Sequence, residues 1–169
     1  MRPIKQTVTA GEIGSWIPLD RKSSGNAGFM VAPHTSSAGT YDVEFTTSNL
    51  QKPTRQAYSR STTTLTITVT AHGLTTGDAC IITGNDDFEG QYEIASVTDA
   101  NNITVTVADS GGTAGTLGFI PVRVDTVTGF SGASGRKSGH ISASITGIRL
   151  DAGSVTTANI DFELNQVEA

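Results

Sequence analysis

Apolar and polar residues alternate along much of the chain, a pattern typical of β-strands. Residues 65–107 show it most clearly: Leu65, Ile67 and Val69 are separated by threonines, and the pattern returns from Ile103 onwards. A period of two places successive side chains on opposite faces of a strand, so one face can be buried while the other stays in water. Glycine, asparagine and aspartate separate these runs, and such residues favour tight turns. We predict a small, closed β unit here.

Alternating runs also occur on both sides of this stretch. They cover residues 41–46, 119–125, 147–151 and 158–164. No window places apolar residues at the 3.6-residue spacing of an amphipathic helix. We therefore predict an all-β fold, an antiparallel, jelly-roll-like β-sandwich of about seven strands interrupted by a small inserted β-barrel.

The charge distribution indicates where the insertion begins and ends. Residues 61–120 contain seven acidic residues and no lysine or arginine, whereas the rest of the chain has 11 basic and nine acidic residues. We predict a discontinuous sandwich from residues 1–60 and 121–169, with a net charge of +2, and a barrel from residues 61–120, with −7. An acidic segment of this kind argues against nucleic-acid binding, which needs clustered lysine and arginine.

The residues that usually carry catalysis or metal binding are not arranged for either. His34, His72 and His140 lie in glycine-, serine-, threonine- or proline-containing contexts without a recognised nucleophile motif. Cys80, the single cysteine, lies in an apolar run, so we expect a buried thiol without disulfide, metal or catalytic chemistry. Residues 86–89 are acidic but lack the spaced oxygen ligands of a calcium loop. We predict a non-enzymatic protein without cofactor or metal.

Apolar length and charge also limit the compartments and partners. No stretch is long and apolar enough to span a membrane, and residues 1–6 lack the apolar centre of a signal peptide. We expect no membrane partner and a reducing, cytoplasmic site of assembly.

Trp16, the single tryptophan, has two interpretations: it is either a core anchor of the sandwich or a partner contact.

One set of motifs in the predicted barrel resembles a known module. The matching residues are His72-Gly73-Leu74, Gly77-Asp78, Ile81-Ile82-Thr83-Gly84, Phe88-Glu89-Gly90-Gln91-Tyr92, Ile94, Val97 and Asp99-Ala100-Asn101-Asn102-Ile103. They resemble the first-catalytic-cysteine half-domain of ubiquitin-activating enzymes, a small β-barrel often found in bacteriophage structural proteins. The resemblance implies the barrel fold but no ubiquitin chemistry, since Cys80 occupies a position suited to an aliphatic strand residue.

A second set of motifs lies in the predicted sandwich. Pro3–Val8, Trp16–Asp20, Thr40–Phe45, Ile148–Leu150 and Asn159–Leu164 resemble segments of small virion proteins of tailed phages. This resemblance implies a capsid decoration (cement) protein on the exterior of the virion, assembled in the host cytoplasm. Its expected partners are the major capsid protein and further copies of itself, for example in a trimer. Two alternatives stay open: a tail, fibre or head–tail connector component, and a glycan-binding β-sandwich or an enzyme.

The predicted difference in charge favours an orientation in which the sandwich docks on the shell and the acidic barrel faces solvent. The candidate contact residues are basic or apolar and lie near the chain ends and loops: Arg2, Ile4, Lys5, Val8, Trp16, Arg21, Lys22, Arg136 and Lys137. We also expect the N-terminal arm to add as a strand to an exposed edge of a neighbouring subunit.

Overall fold

The computed structural model describes residues 3–19, 27–34, 38–142 and 144–166. Within these ranges the chain forms fifteen β-strands and no helix, which confirms the all-β prediction. The strands are β1 (Ile4–Val8), β2 (Ile17–Pro18), β3 (Ala27–Pro33), β4 (Asp42–Thr46), β5 (Thr54–Ser61), β6 (Thr64–Thr68), β7 (Ala79–Thr83), β8 (Gly90–Glu93), β9 (Ser96–Asp99), β10 (Asn102–Thr106), β11 (Ala114–Val122), β12 (Asp125–Thr126), β13 (Lys137–Ile141), β14 (Gly147–Asp151) and β15 (Ile160–Gln166).

The chain divides into two compact units. The sandwich unit consists of residues 1–47 and 125–169, and the barrel unit consists of residues 48–124. The barrel unit begins at Ser48 rather than at residue 61, because β5 pairs with both β6 and β11 in the sheet of the barrel. The sequence of β5 hides this role, since a strand of mostly polar residues lacks a clear apolar face.

These bounds change the charge comparison. Residues 48–60 and 121–124 add four basic residues and no acidic residue to the barrel unit, so its net charge is −3 rather than −7. The sandwich unit has seven basic and nine acidic residues and a net charge of −2 rather than +2. The two units therefore carry similar net charge, and the electrostatic reason for docking one rather than the other is lost.

The sandwich unit is an eight-stranded jelly roll. Its two four-stranded antiparallel sheets have the orders β1-β15-β3-β13 and β12-β4-β14-β2. Numbered one to eight along this unit, the orders are 1-8-3-6 and 5-4-7-2, the arrangement of two interlocked Greek keys. The predicted jelly-roll-like sandwich is thus confirmed, with one strand more than expected. The barrel unit occupies the connection between the fourth and fifth of these strands.

Alternating side chains from both sheets fill the sandwich core. Phe29 and Phe162 pack with their ring centroids 5.9 Å apart, and Phe130 meets Phe29 edge-on at 4.9 Å. From the facing sheet, Ile148 and Leu150 are fully buried. Burying one such side chain contributes about 1.5–3 kcal/mol, so this apolar core dominates the stability of the unit.

The barrel unit is one curled seven-stranded sheet with the order β8-β7-β11-β5-β6-β10-β9. Its two end strands, β8 and β9, are consecutive pieces of the same stretch, residues 90–99. Between them the backbone N–H of Ala95 donates to the carbonyl of Thr104 at 2.9 Å. The first half of this stretch pairs with β7 and the second half with β10, so the chain itself joins the two ends of the sheet.

Cys80 is fully buried within the apolar core of the barrel, as predicted, and burial raises the pKa of its thiol to about 12.

Buried hydrogen bonds also hold the barrel together. Asp78 is also buried: one carboxylate oxygen accepts hydrogen bonds from the N–H (2.7 Å) and hydroxyl (3.0 Å) of Thr75, and the other accepts one from the N–H of Val124 (2.8 Å). Asp78 thereby ties an internal turn to the end of the unit.

Candidate functional site

An open strand edge lies at the N-terminal side of the sandwich unit. Among the described strands, β1 is the outermost of its sheet and pairs on one side only, with β15. Among the large apolar side chains of the described ranges, Ile4 (41% exposed) and Ile13 (39%) are the exposed ones. Ile4 lies on β1, and Ile13 lies in the segment between β1 and β2. We call residues 4–14 the N-terminal edge.

The residues after β1 cross to the second sheet and pack against the strand they have left. The N–H of Gly14 donates to the carbonyl of Leu150 at 2.8 Å, which continues the ladder along β14. A Cβ at Gly14 would lie 2.8 Å from the side chain of Val8 and 2.9 Å from that of Gln6. Only glycine permits this close approach, so the two sheets meet tightly at the N-terminal edge.

Polar contacts fasten β1 to its neighbour. The hydroxyl of Thr7 donates to Asp161 at 2.7 Å, and the imidazole of His34 lies 2.9 Å from the same carboxylate. These two hydrogen bonds hold the pKa of Asp161 below its ordinary value, with the bond from Thr7 the larger cause. Lys5 pairs with Glu163 at 3.1 Å. The outer face of β1 is thus fixed, while no strand of the described ranges lies beside its other edge.

The structure separates the contact residues predicted from the sequence. Ile4 and Lys5 are exposed on β1, but Val8 and Trp16 are buried, 3% and 5% exposed, and so contribute to the fold. The interpretation of Trp16 as an anchor of the sandwich therefore agrees with its burial. Three further predicted residues lie outside the described ranges: Arg2, Arg21 and Lys22.

The remaining two predicted residues lie on the opposite edge of the same sheet. Lys137, in β13, donates to the carbonyl of Gly129 at 2.7 Å and lies 5.1 Å from the ring centroid of Phe130. Arg136 directs one guanidinium nitrogen to the sulfur of Met30 at 3.3 Å. Two strands separate β13 from β1, which at the usual strand spacing corresponds to about 14 Å. The predicted basic residues therefore do not form one patch.

A buried ion pair in the sandwich unit was not predicted. The guanidinium Nε of Arg149 lies 2.6 Å from a carboxylate oxygen of Glu44, directly opposite on the neighbouring strand. The ring of Trp16 covers the guanidinium, whose carbon is 4.6 Å from the ring centroid. Burial raises the pKa of Glu44 above its ordinary value, although Arg149 acts in the opposite direction. Arg149 thus offsets part, but not all, of the cost of burying the Glu44 carboxylate.

A cleft of about 330 Å³ lies on the barrel unit. It is lined by Pro53, Thr54, Arg55, Thr83, Gly84, Thr116, Leu117 and Gly118. None of these residues was predicted as a site, because they come from three separate strands whose pairing register the sequence does not reveal. The cleft contains one charged side chain, that of Arg55, which makes it a candidate site for an anionic group.

The described ranges contain neither a cluster of metal-binding side chains nor a membrane-spanning helix. No group of three or more histidine, cysteine, aspartate or glutamate side chains there is placed to hold a metal ion. No helix in those ranges is long and apolar enough to cross a membrane.

Comparisons with known proteins found distant structural similarity. No family model matches the chain, and no curated protein matches it. The chain is similar to phage phi92 endosialidase, with 24% identity and a TM-score of 0.34 over 60% of this chain and 14% of that protein. It is also similar to VP17, a capsid protein of bacteriophage P23-77, with 11% identity and a TM-score of 0.20 over 97% and 95% of the respective chains. Similarity at these scores carries no functional argument.

Proposed function

We propose that the chain is a non-enzymatic structural protein of a tailed-phage virion, and specifically a decoration protein on the exterior of the capsid. Its partner in this role is the major capsid protein, which it binds as a homo-oligomer such as a trimer after synthesis in the host cytoplasm. The motifs of the sandwich unit that resemble small virion proteins support this role. The resemblance of the barrel to the module from ubiquitin-activating enzymes remains a prediction.

The observation that carries the proposal is the open N-terminal edge of the jelly roll. Strand β1 has a free side on which a strand of another subunit can form backbone hydrogen bonds. Ile4 offers exposed apolar surface beside that edge. Natural proteins usually protect such edges, because unpaired strands promote association. An open edge beside an exposed isoleucine is therefore well suited to an intended contact.

The structure changes how the N-terminal arm takes part. We predicted that the arm extends to a neighbouring subunit, whereas β1 pairs along its whole length with β15 of the same chain. The contact then consists of a strand added to β1, and not of β1 leaving its own sheet. A stable contact of this kind buries at least about 1,000 Å² in total, so surface around the edge contributes as well. Symmetric repetition on a lattice strengthens a contact that is weak in a single copy.

Copy number in purified virions tests the proposal and separates it from the alternative of a tail, fibre or head–tail connector component. Quantitative mass spectrometry against the major capsid protein should give hundreds of copies for each particle. A small multiple of three or six would instead assign the chain to the tail, a fibre or the head–tail connector. Absence from washed particles would contradict any virion role.

A surface variant tests the proposed edge itself. Replacing Ile4 by lysine places a charge beside the free strand and should weaken binding to decoration-free capsids about tenfold or more in a cosedimentation assay. Thr106→Lys adds the same charge at an exposed position of the barrel unit and should bind as the unmodified protein does. Equal binding by both variants would contradict a role for the N-terminal edge.

A further inference from the structure

The cleft on the barrel unit forms around a glycine, which has no side chain to fill it. Gly118 lies in β11 with Arg55 of β5 on one side and Thr83 of β7 on the other. Its chain neighbours Leu117 and Phe119 are buried in the barrel core, so Gly118 faces outward. A Cβ at Gly118 would come within 2.5 Å of the Thr83 hydroxyl. The glycine therefore leaves a hollow on the outer face of three adjacent strands.

Arg55 is held at the wall of this hollow. Its Nε and Nη2 atoms donate hydrogen bonds to the hydroxyl oxygen of Thr116 at 3.0 and 2.8 Å. These two bonds fix the plane of the guanidinium group. Within the described ranges Arg55 takes part in no ion pair, and no acidic residue lines the cleft. With Nε and one N–H of Nη2 bonded to Thr116, the Nη1 N–H and the second Nη2 N–H remain as an end-on pair that can hold a carboxylate in bidentate fashion.

The rest of the lining favours a ligand rich in hydroxyl groups. Thr116 accepts from Arg55, so its own hydroxyl proton is free to donate. The hydroxyl of Thr83 has no hydrogen-bond partner among the described residues and borders the same hollow. The volume of about 330 Å³ falls within the range of small-molecule sites. An acidic peptide side chain would use the Arg55 end alone and leave these hydroxyl groups bonded to water, whereas a sugar acid would engage both.

We propose that this cleft binds a carboxylate-bearing sugar, with the carboxylate on Arg55 and the sugar hydroxyls on Thr83 and Thr116. This inference concerns the barrel unit and goes beyond the proposed attachment to a capsid. Because Arg55 is exposed, the interaction is weak in one copy and weakens further as salt screens the charges. Repetition of the barrel on a particle would raise its avidity for a polymer of acidic sugars.

Amide-resolved NMR titration of the full chain tests this proposal with four probes: glucuronate, glucose, acetate and N-acetyl-aspartate amide. Glucuronate should produce saturable shifts at the amides of Thr83, Thr116 and Gly118. Glucose, which lacks the carboxylate, and acetate, which lacks the hydroxyl groups, should each bind about tenfold more weakly. An equal or stronger response to N-acetyl-aspartate amide would overturn the assignment to a sugar in favour of a peptide ligand. No saturable response to glucuronate would overturn the site.

Variants distinguish binding in the cleft from general attraction to positive charge. Arg55→Gln should reduce glucuronate affinity about tenfold, and Arg55→Lys should restore part of it, since lysine keeps the charge but not the fork. Arg136→Gln removes an exposed arginine from the sandwich unit and should leave the titration unchanged. All of these side chains are exposed, so the fold is retained. Equal loss for Arg55→Gln and Arg136→Gln would overturn the proposal.

Discussion

The two units solve the problem of strand edges in different ways. In the barrel unit, one continuous stretch supplies both end strands of the sheet, so the chain joins its own edges. In the sandwich unit, four strands lie at sheet ends, and the terminal strand β1 leaves Ile4 exposed beside its free side. Strand addition requires a free edge. The comparison supports our proposal that the sandwich associates with other subunits, while the barrel presents its outer face.

The largest test of this comparison removes the barrel completely. Residues 48–124 are replaced by a short Gly/Ser bridge from Thr47 to Asp125. Phe45 and Asp125 are paired on neighbouring strands, so the bridge closes a β-hairpin between β4 and β12. We expect the shortened chain to unfold cooperatively and to retain particle binding, as measured by calorimetry and cosedimentation.

A second deletion, with the barrel boundaries that the sequence predicted, provides the matched control. Removal of residues 61–120 leaves β5 without β6 and without most of β11, and should expose the remaining apolar side chains and promote aggregation. A cooperative transition for this second deletion and none for the first would show that the units are divided incorrectly.

The next largest effect concerns the buried ion pair of the sandwich. Arg149→Ala leaves the carboxylate of Glu44 buried without its partner and should lower the free energy of unfolding by about 3–5 kcal/mol. Arg136→Ala, at an exposed position, should change it by less than about 0.5 kcal/mol. Chemical denaturation measures both. A loss below about 1 kcal/mol for Arg149→Ala would contradict the account of the pair.

A somewhat smaller effect is expected in the barrel. Asp78→Ala removes the acceptor for two N–H groups and one hydroxyl, and should destabilise the barrel by about 2–4 kcal/mol. Hydrogen exchange should show the loss in β7 and β11, with the sandwich strands unaffected. Asp86→Ala, a substitution of an exposed aspartate in the same unit, is the control. Equal effects of the two substitutions would disprove the structural role of Asp78.

The smallest effect is a shift in titration. Because burial raises the folded-state pKa of Glu44, ionisation of this carboxyl costs more in the folded than in the unfolded chain, and the resulting contribution to stability is lost as pH rises through the folded-state pKa. Carbon-detected NMR should find the pKa above its ordinary value. It should rise further in Arg149→Met, which removes the opposing positive charge. A pKa below the ordinary value would mean that the ion pair outweighs burial.

Sequence periodicity was sufficient for strands with a clear apolar face. Residues 147–151 alternate strongly and form β14 with those bounds. It was insufficient for β5, where Tyr58 is the one buried apolar residue in a polar segment and pairing with strands on both sides determines the conformation. That error moved the N-terminal boundary of the unit and, with it, three basic residues, Lys52, Arg55 and Arg60.

Predicting the candidate sites requires knowledge of the strand register even more than predicting the strands does. Arg149 and Glu44 are 105 positions apart, and Arg55 and Thr116 are 61 positions apart. Each residue alone is typical of a solvated strand face. Only the pairing of β4 with β14, and of β5 with β11, brings them together. Ile4, by contrast, is exposed, as its predicted role in a contact requires, and the contact itself stays a prediction.

A reconstruction of the purified virion tests most directly whether the sandwich makes the contact and the barrel does not. We expect density for the chain in hundreds of copies on the outer capsid surface, with β1 extended by a strand from the shell and the barrel free of shell contact. Density confined to the tail would contradict the decoration role. Density on the capsid with the barrel against the shell and β1 in solvent would contradict the assignment of attachment to the open edge.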